Sequence, residues 1–269
     1  MIQVRHSVFE IAGWTHPGLR RRQRPNEDAV LVLAEEEKPP LLAVADGLGG
    51  YQGGAQASRV VVQSLAAFYH HQAPPTNWIQ WIQAAIQYAH EQIRYQGQVQ
   101  GLSHMSSTVV LALLFPQHVL VANVGDSRAY LEHQGRLIQI TQDHSVVGRM
   151  IREGRLSPQA ALRHPHRHRL TQSLSARRST VQPFWKEIPW QPGDRLLLCS
   201  DGLWSVVPEA LIRKVLQEVP PPDGVRRLIQ LANGFSGPDN ITVVVARYRP
   251  AQTAVPQPSA SGADEETRP

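Results

Sequence analysis

The sequence predicts an α+β fold in which helix pairs cover largely antiparallel sheets. Three observations predict it. Apolar runs of strand length cluster in blocks separated by stretches of helical periodicity, giving the order strands, two helices, strands, two helices, one strand. That order lacks the strand–helix alternation of a doubly wound parallel sheet. In the central block the strands are short and joined by turn-forming residues, as in a meander of hairpins. With 269 residues, 42% of them apolar and 18% charged, the chain can bury a sizeable core. No internal repeat is evident, so residues 1–249 are expected to form one domain.

Residues 3–12 alternate loosely enough for a strand, and a basic turn, HPGLRRRQRPNED, leads to another at 29–34. After EEEKPP comes a buried strand at 41–45. GLGGYQGG is too glycine-rich for the interior of either kind of element and reads as a tight loop entering a helix. Over 55–71, Val61, Val62, Leu65, Ala66 and Phe68 recur at helical spacing. A second helix follows Pro75, with Thr76 or Asn77 as its N-cap and Trp78, Ile82, Ala85, Ile86, Ala89 and Ile93 on one face. Trp78 and Trp81 read as helix packing. Strands follow at 108–115, 119–124, 128–132 and 137–140. Weak helices at 146–153 and 158–162 precede a strand at 195–199, helices at 208–218 and 223–233, and a last strand at 241–248. Residues 250–269 hold nothing that builds a core and are expected to form a disordered tail.

Composition narrows the function classes. A single cysteine, Cys199, rules out an internal disulfide and gives no sign of secretion. On its apolar strand it reads as buried and inert. The first residues lack a signal-peptide pattern, and no apolar run approaches the ~20 residues that cross a bilayer. A cytoplasmic monomer without a membrane partner is the expectation. The net charge of +5 is local: eight arginines and one acid, Glu153, give residues 149–179 a charge of +7, leaving the rest at −2. Basicity confined to one segment without interleaved aromatics argues against a nucleic-acid partner.

The aspartates carry the chemical signal. Three apolar runs end in one: LLAVAD at Asp46, VANVGD at Asp126 and LLLCSD at Asp201. Asp28 abuts a fourth run, and Asp239 lies two residues before a fifth. Clustered carboxylates at the mouths of apolar strands repel one another unless cations meet them. Glycine directly after Asp46 and Asp201 lets the backbone bend, so that a main-chain carbonyl such as that of Gly47 can face an ion as well. An all-oxygen donor set without zinc-spaced Cys or His favours magnesium or manganese. Two such ions ~4 Å apart can acidify a shared water and aim it at phosphorus. Arginines in the turn before Asp28 are suited to gripping phosphate oxygens.

These residues also carry a resemblance. NED at 26–28, ADGLGG at 45–50, SST at 106–108, VGDSRAY at 124–130, TQDHS at 141–145, CSDGLW at 199–204 and PDNIT at 238–242 stand in order. Together they resemble the motif set of the metal-dependent protein serine/threonine phosphatases, the protein phosphatase 2C family, in its bacterial single-domain form. The resemblance spans about residues 13–248. It implies a four-layer αββα sandwich with two Mn2+ or Mg2+ ions between the sheets. It assigns Asp46 to bridging both metals and the Gly47 carbonyl to the first, with Asp28 acting on that ion's water shell. Asp201 and Asp239 hold the second metal, and Asp126 shares a third, conditional site with Asp201. The nucleophile implied is a metal-bridging hydroxide that attacks phosphorus in line, and residues 146–179 correspond to a flap beside the active site. Phosphorylated proteins are the implied substrates, and a bacterial serine/threonine kinase is the implied opponent.

The chain departs from that family in three places. Gln23 stands where an arginine is usual, so Arg22 or Arg24 is the expected phosphate ligand, and Arg20 or Arg21 a poorer one. Leu48 occupies the position of a histidine proposed as general acid in eukaryotic members, so water or another group must protonate the leaving oxygen. Ser106 replaces a usual glycine. The alternatives from other classes are a non-catalytic phosphoprotein-binding module of the same fold, which Gln23 makes thinkable, and a metal-dependent nuclease using the basic segment. Residue by residue, Asp126 has a plainer reading as an ion-pair partner of Arg128. His144 reads as a loop buttress, and His164, His166 and His168 as exposed flap surface.

Overall fold

The computed structural model describes residues 1–6, 8–48, 53–161 and 163–249. The expected first strand is two, β1 (Ile2–Arg5) and β2 (Phe9–His16), folded back on each other through paired backbone bonds between His6 and Phe9. β3 (Asp28–Leu33) and β4 (Leu41–Leu48) follow as an antiparallel pair. β4 runs three residues past the expected end and takes Asp46, Gly47 and Leu48 into the strand. α1 (Gly53–His71) begins at two glycines assigned from the sequence to the loop. The remaining residues of that loop, 49–52, and the expected tail, 250–269, lie outside the described residues.

α2 (Trp78–Val99) starts at Asn77, whose side-chain oxygen accepts from the backbone N–H groups of Ile79 and Gln80; Thr76 has no such role. Next come β5 (Ser106–Ser107), which was not expected, then β6 (Val109–Leu114), β7 (His118–Val124), β8 (Arg128–His133) and β9 (Arg136–Gln139); the expected meander is instead two hairpins, β6–β7 and β8–β9, that lie in different sheets. α3 (Val146–Arg152) is capped by the Ser145 hydroxyl, and α4 (Pro158–Ala161) is a single turn. β10 (Leu174–Ser175) and β11 (Phe184–Pro189) were not expected. β11 pairs only with β7 and leaves most side chains exposed, so it lacks the apolar alternation by which a strand is read. β12 (Arg195–Cys199), the one-turn α5 (Asp201–Trp204), α6 (Glu209–Glu218), α7 (Pro221–Gly234) and β13 (Ile241–Tyr248) complete the chain.

Two antiparallel sheets result. One has the order β1-β2-β13-β12-β8-β9; the other runs β10-β5-β4-β6-β7-β11, with β3 also paired to β4. Alternation along single strands fixes the layers. On β4, Leu41, Ala43 and Ala45 pack with Leu65 of α1 and Ile86 of α2, whereas Leu42 and Val44 meet Leu196 and Val244 of the other sheet. On β13, Val243 and Val245 turn outward onto Ile212 of α6 and Leu228 of α7. The order is therefore helix pair, sheet, sheet, helix pair, the αββα sandwich. Each fully buried Leu or Ile contributes about 1.5–3 kcal/mol.

Candidate metal centre

The strand pairing brings the aspartates to one end of the sandwich. Asp28, first residue of β3, is in register with Asp46 on β4. Cys199 at the end of β12 pairs with Val243 on β13 and with Arg128 on β8. Asp201, Asp239 and Asp126 thus leave adjacent strand ends. Asp46, Gly47, Asp126, Asp201 and Asp239 line one cleft of about 450 Å3. Asp28 and Asp126 are buried; the other three are part-buried.

The backbone around Asp46 is held from several sides. Its N–H donates to the Thr108 hydroxyl at 3.1 Å, and its carbonyl accepts from the Thr108 N–H at 2.8 Å and the Ser107 hydroxyl at 3.0 Å. Gly47 donates to the Glu27 carbonyl at 3.0 Å, and a Cβ there would overlap the Gly54 carbonyl oxygen. Gly202 is similarly tight, since a Cβ would overlap the Asn240 carbonyl. Only glycine fits either place, which is the physical content of the Asp-Gly pairs. The first and last motifs are tied by Asn240, whose side chain accepts from the Glu27 N–H at 2.9 Å and donates to the Pro17 carbonyl at 2.9 Å. Ser200 and Asn240, not singled out in the sequence, are buried polar links; each sits inside a motif but beside its aspartate.

Burial, then mutual repulsion, pushes the carboxylates up. Asp28 rises to about 7, with the Ser200 and Thr242 hydrogen bonds opposing the rise. Asp201 rises to about 6, through burial and the nearby charge of Asp239. Asp46 and Asp126 are driven well above the ordinary carboxylate range by burial and neighbouring aspartates. Such a set is stable as anions only beside cations, and its all-oxygen character fits Mg2+ or Mn2+. Among the described residues no three acidic, imidazole or thiol side chains converge as a closed cage.

Of the two arginines expected from the sequence one lies at the cleft, together with one of the poorer pair. Arg21 and Arg24 line the cleft, whereas Arg22 is exposed and does not. Arg21 Nη1 lies 2.9 Å from Asp239 and 3.2 Å from Glu27. The Arg20 N–H donates to the Gly237 carbonyl at 3.0 Å, which registers the turn on the Asp239 loop and turns residue 21 inward. The ion-pair reading of Asp126 does not describe the geometry either. Arg128 binds Asp143 through Nε and Nη2 and stacks 3.6 Å over Trp204. Asp126 offers its backbone carbonyl to Trp204 Nε1 at 3.0 Å.

The histidines divide. His144 is buried, and its Nδ1 accepts from the Gly125 N–H at 3.3 Å, the expected buttress; burial lowers its pKa to about 4. His168 lines the cleft, 4.0 Å from an Asp201 oxygen, although its outer side faces solvent. Its expected place on the exposed flap surface is thus only half the picture. Cys199 is fully buried, which pushes its thiol up and leaves it inert.

Known proteins resemble this chain in sequence and in fold. The protein phosphatase 2C family model matches residues 17–228. The serine/threonine phosphatase stp of Listeria innocua is 35% identical over 230 residues, covering 84% of this chain and 91% of its own length. The protein phosphatase PhpP of Streptococcus pneumoniae is 30% identical over 88% of this chain and 96% of its own. Among solved structures, the catalytic domain of PstP in complex with two manganese ions superposes with a TM-score of 0.80 at 34% identity, covering 90% of this chain and 99% of that one. Stp1 from Staphylococcus aureus superposes at 0.83 with 30% identity, over 91% and 99%. Sequence, sandwich and carboxylate cleft agree: the chain belongs to the protein phosphatase 2C family and is a metal-dependent protein phosphatase.

Proposed function

We propose that the cleft hydrolyses phosphoserine and phosphothreonine in proteins, with Asp46 and Asp201 as the chief ligands of two Mn2+ or Mg2+ ions, Arg21 and Arg24 orienting the phosphate, and the Gly47 carbonyl, Asp239, Asp28 and Asp126 completing the ion sites. When bound, divalent ions supply the charge that draws in a phosphate dianion and the acidity that makes water a nucleophile at neutral pH. Water adds to phosphorus as the bond to the serine or threonine oxygen breaks, and that oxygen takes up a proton from solvent, because Leu48 offers none. Asp28, whose carboxylate accepts the Ser200 hydroxyl, would hold water beside an ion bound in the cleft. The observation that carries the reading is the convergence of Asp46, Asp126, Asp201 and Asp239 on one cleft, with the Arg21 guanidinium on Asp239. In the cell we place the protein in the cytoplasm, as a monomer opposing a serine/threonine kinase.

The test is phosphate release from a phosphothreonyl peptide and from p-nitrophenyl phosphate, with and without Mn2+. Wild type is expected to turn over both only with the metal, and Asp46→Asn neither. Absence of Mn2+-dependent release from wild type overturns the reading in favour of a phosphoprotein-binding module. Cleavage of DNA or RNA in the same buffer, without phosphate release, overturns it in favour of a nuclease.

A further inference from the structure

The flap carries a run of exposed positive charge almost without acids. On the far helices, exposed cations are matched: Arg226 meets Asp223, and Arg227 and Lys214 meet Glu218. In the flap all eight arginines are exposed, and Glu153 is the single acid, facing Arg149 and Arg155. The side chains of Arg163, Arg167 and Arg169 have no hydrogen-bond or ion-pair partner among the described residues. Three unpaired like charges in one stretch repel one another, at a cost in free energy.

Their position relative to the cleft gives the cost a use. The segment carrying Arg167 and Arg169 is tethered, not loose. The Val146 N–H donates to the Arg169 carbonyl at 2.8 Å, the Thr171 N–H donates to the His144 carbonyl at 2.8 Å, and Ser145 bridges to Leu170. These bonds hold His168 and Leu170 in the cleft wall, His168 at its exposed rim, and Arg167 and Arg169 are the neighbours of His168 in the chain and are themselves exposed. A polypeptide whose phosphorylated side chain enters the cleft must carry its neighbouring residues past that rim. Guanidinium groups there meet carboxylates in paired, charge-assisted bonds.

We propose that Arg167 and Arg169 form a subsite that selects substrates with Asp or Glu next to the phosphorylated residue. The inference rests on the phosphatase reading above and adds a substrate class to it. A nucleic-acid ligand fits less well: its backbone would run from this rim into Asp46, Asp126 and Asp201, and no aromatic residue is interleaved with the arginines to stack its bases.

The experiment compares two phosphothreonyl peptides, one flanked by glutamates and one by glutamines, with p-nitrophenyl phosphate as a substrate too small to reach the rim. Wild type is expected to favour the glutamate peptide about tenfold in kcat/KM, mainly through KM, and to lose the preference as salt is raised. An Arg167→Ser, Arg169→Ser variant is expected to treat the peptides alike while hydrolysing p-nitrophenyl phosphate as wild type does. Equal rates on both peptides by wild type, or a preference that survives the double substitution, overturns the subsite and leaves the phosphatase reading intact. Tighter binding of a single-stranded oligonucleotide than of the glutamate peptide, lost in the same variant, also overturns it. Loss of p-nitrophenyl phosphate turnover by wild type overturns the underlying reading instead.

Discussion

Ser200 donates its hydroxyl hydrogen to Asp28 Oδ2 at 2.7 Å and accepts from the Thr242 N–H at 3.0 Å. One fully buried hydroxyl therefore joins the start of β3, the end of β12 and the start of β13. It also favours the ionised form of Asp28 against the effect of burial. Ser200→Ala strands a buried N–H and removes a donor from a buried carboxylate, at a cost of about 1–3 kcal/mol. Denaturant unfolding should show that loss, and calorimetric titration should show weaker Mn2+ binding. Wild-type values for both would mean that the link is incidental.

The raised carboxylates give the ion-free protein an unusual pH dependence. Between the ordinary aspartate value of 3.8 and about 6 to 7, the unfolded chain has released protons that folded Asp201 and Asp28 still hold. Unfolding then releases protons, so these groups make the fold less stable as pH rises through that window. Asp46 acts with the same sign. In chelator, Asp46→Asn should be more stable than wild type by about 1–3 kcal/mol at pH 8 and indistinguishable from it at pH 4. Mn2+ should stabilise wild type at pH 8 and have little effect on the variant. A variant less stable than wild type at pH 8 in chelator would contradict the repulsion argument.

Arg21 and Arg22 are adjacent in sequence but differ in environment, one in the cleft on Asp239 and the other exposed. Arg21→Ala should lower kcat/KM on p-nitrophenyl phosphate by about a hundredfold, close to 2.7 kcal/mol of lost transition-state binding. Arg22→Ala should change it less than twofold. Steady-state kinetics on the two variants decides between them, and the reverse ranking would return the phosphate to Arg22.

Much of this was legible in the sequence because the signals were local. The five aspartates lie beside apolar runs whose periodicity is plain, and strand ends follow from where those runs stop. β13 matches its predicted limits because ITVVVARY is a continuous buried run. β11 escaped because an edge strand pairs through its backbone and needs no apolar alternation. Arg21 escaped because the facing of a turn residue depends on a bond to Gly237, more than two hundred positions along the chain. Ser200 and Asn240 escaped for the same reason: their partners, Asp28 and Glu27, are neighbours only once the sheets have formed.

Arg128 and Asp143 supply the last prediction. The guanidinium gives Nε and Nη2 to the Asp143 carboxylate, Nη1 to the Tyr130 hydroxyl at 2.9 Å, and its face to Trp204. Gln139 adds a second donor to Asp143 at 2.9 Å. Both charged side chains are mostly shielded from solvent, so removing one leaves the other without compensation. Asp143→Asn is expected to cost about 3–5 kcal/mol, as for a broken buried pair. Arg128→Met with Asp143→Leu should recover much of that, since it removes the stranded charge together with its partner. Trp204, released from the guanidinium, still carries the hydrogen bond to the Asp126 carbonyl, so the double variant should be folded yet bind Mn2+ more weakly wherever Asp126 contributes. Denaturant unfolding of the three proteins, with Mn2+ titration of the double variant, measures both effects. A cost below about 1 kcal/mol for Asp143→Asn would class the pair with ordinary surface ion pairs and remove it as a support of the Asp126 loop.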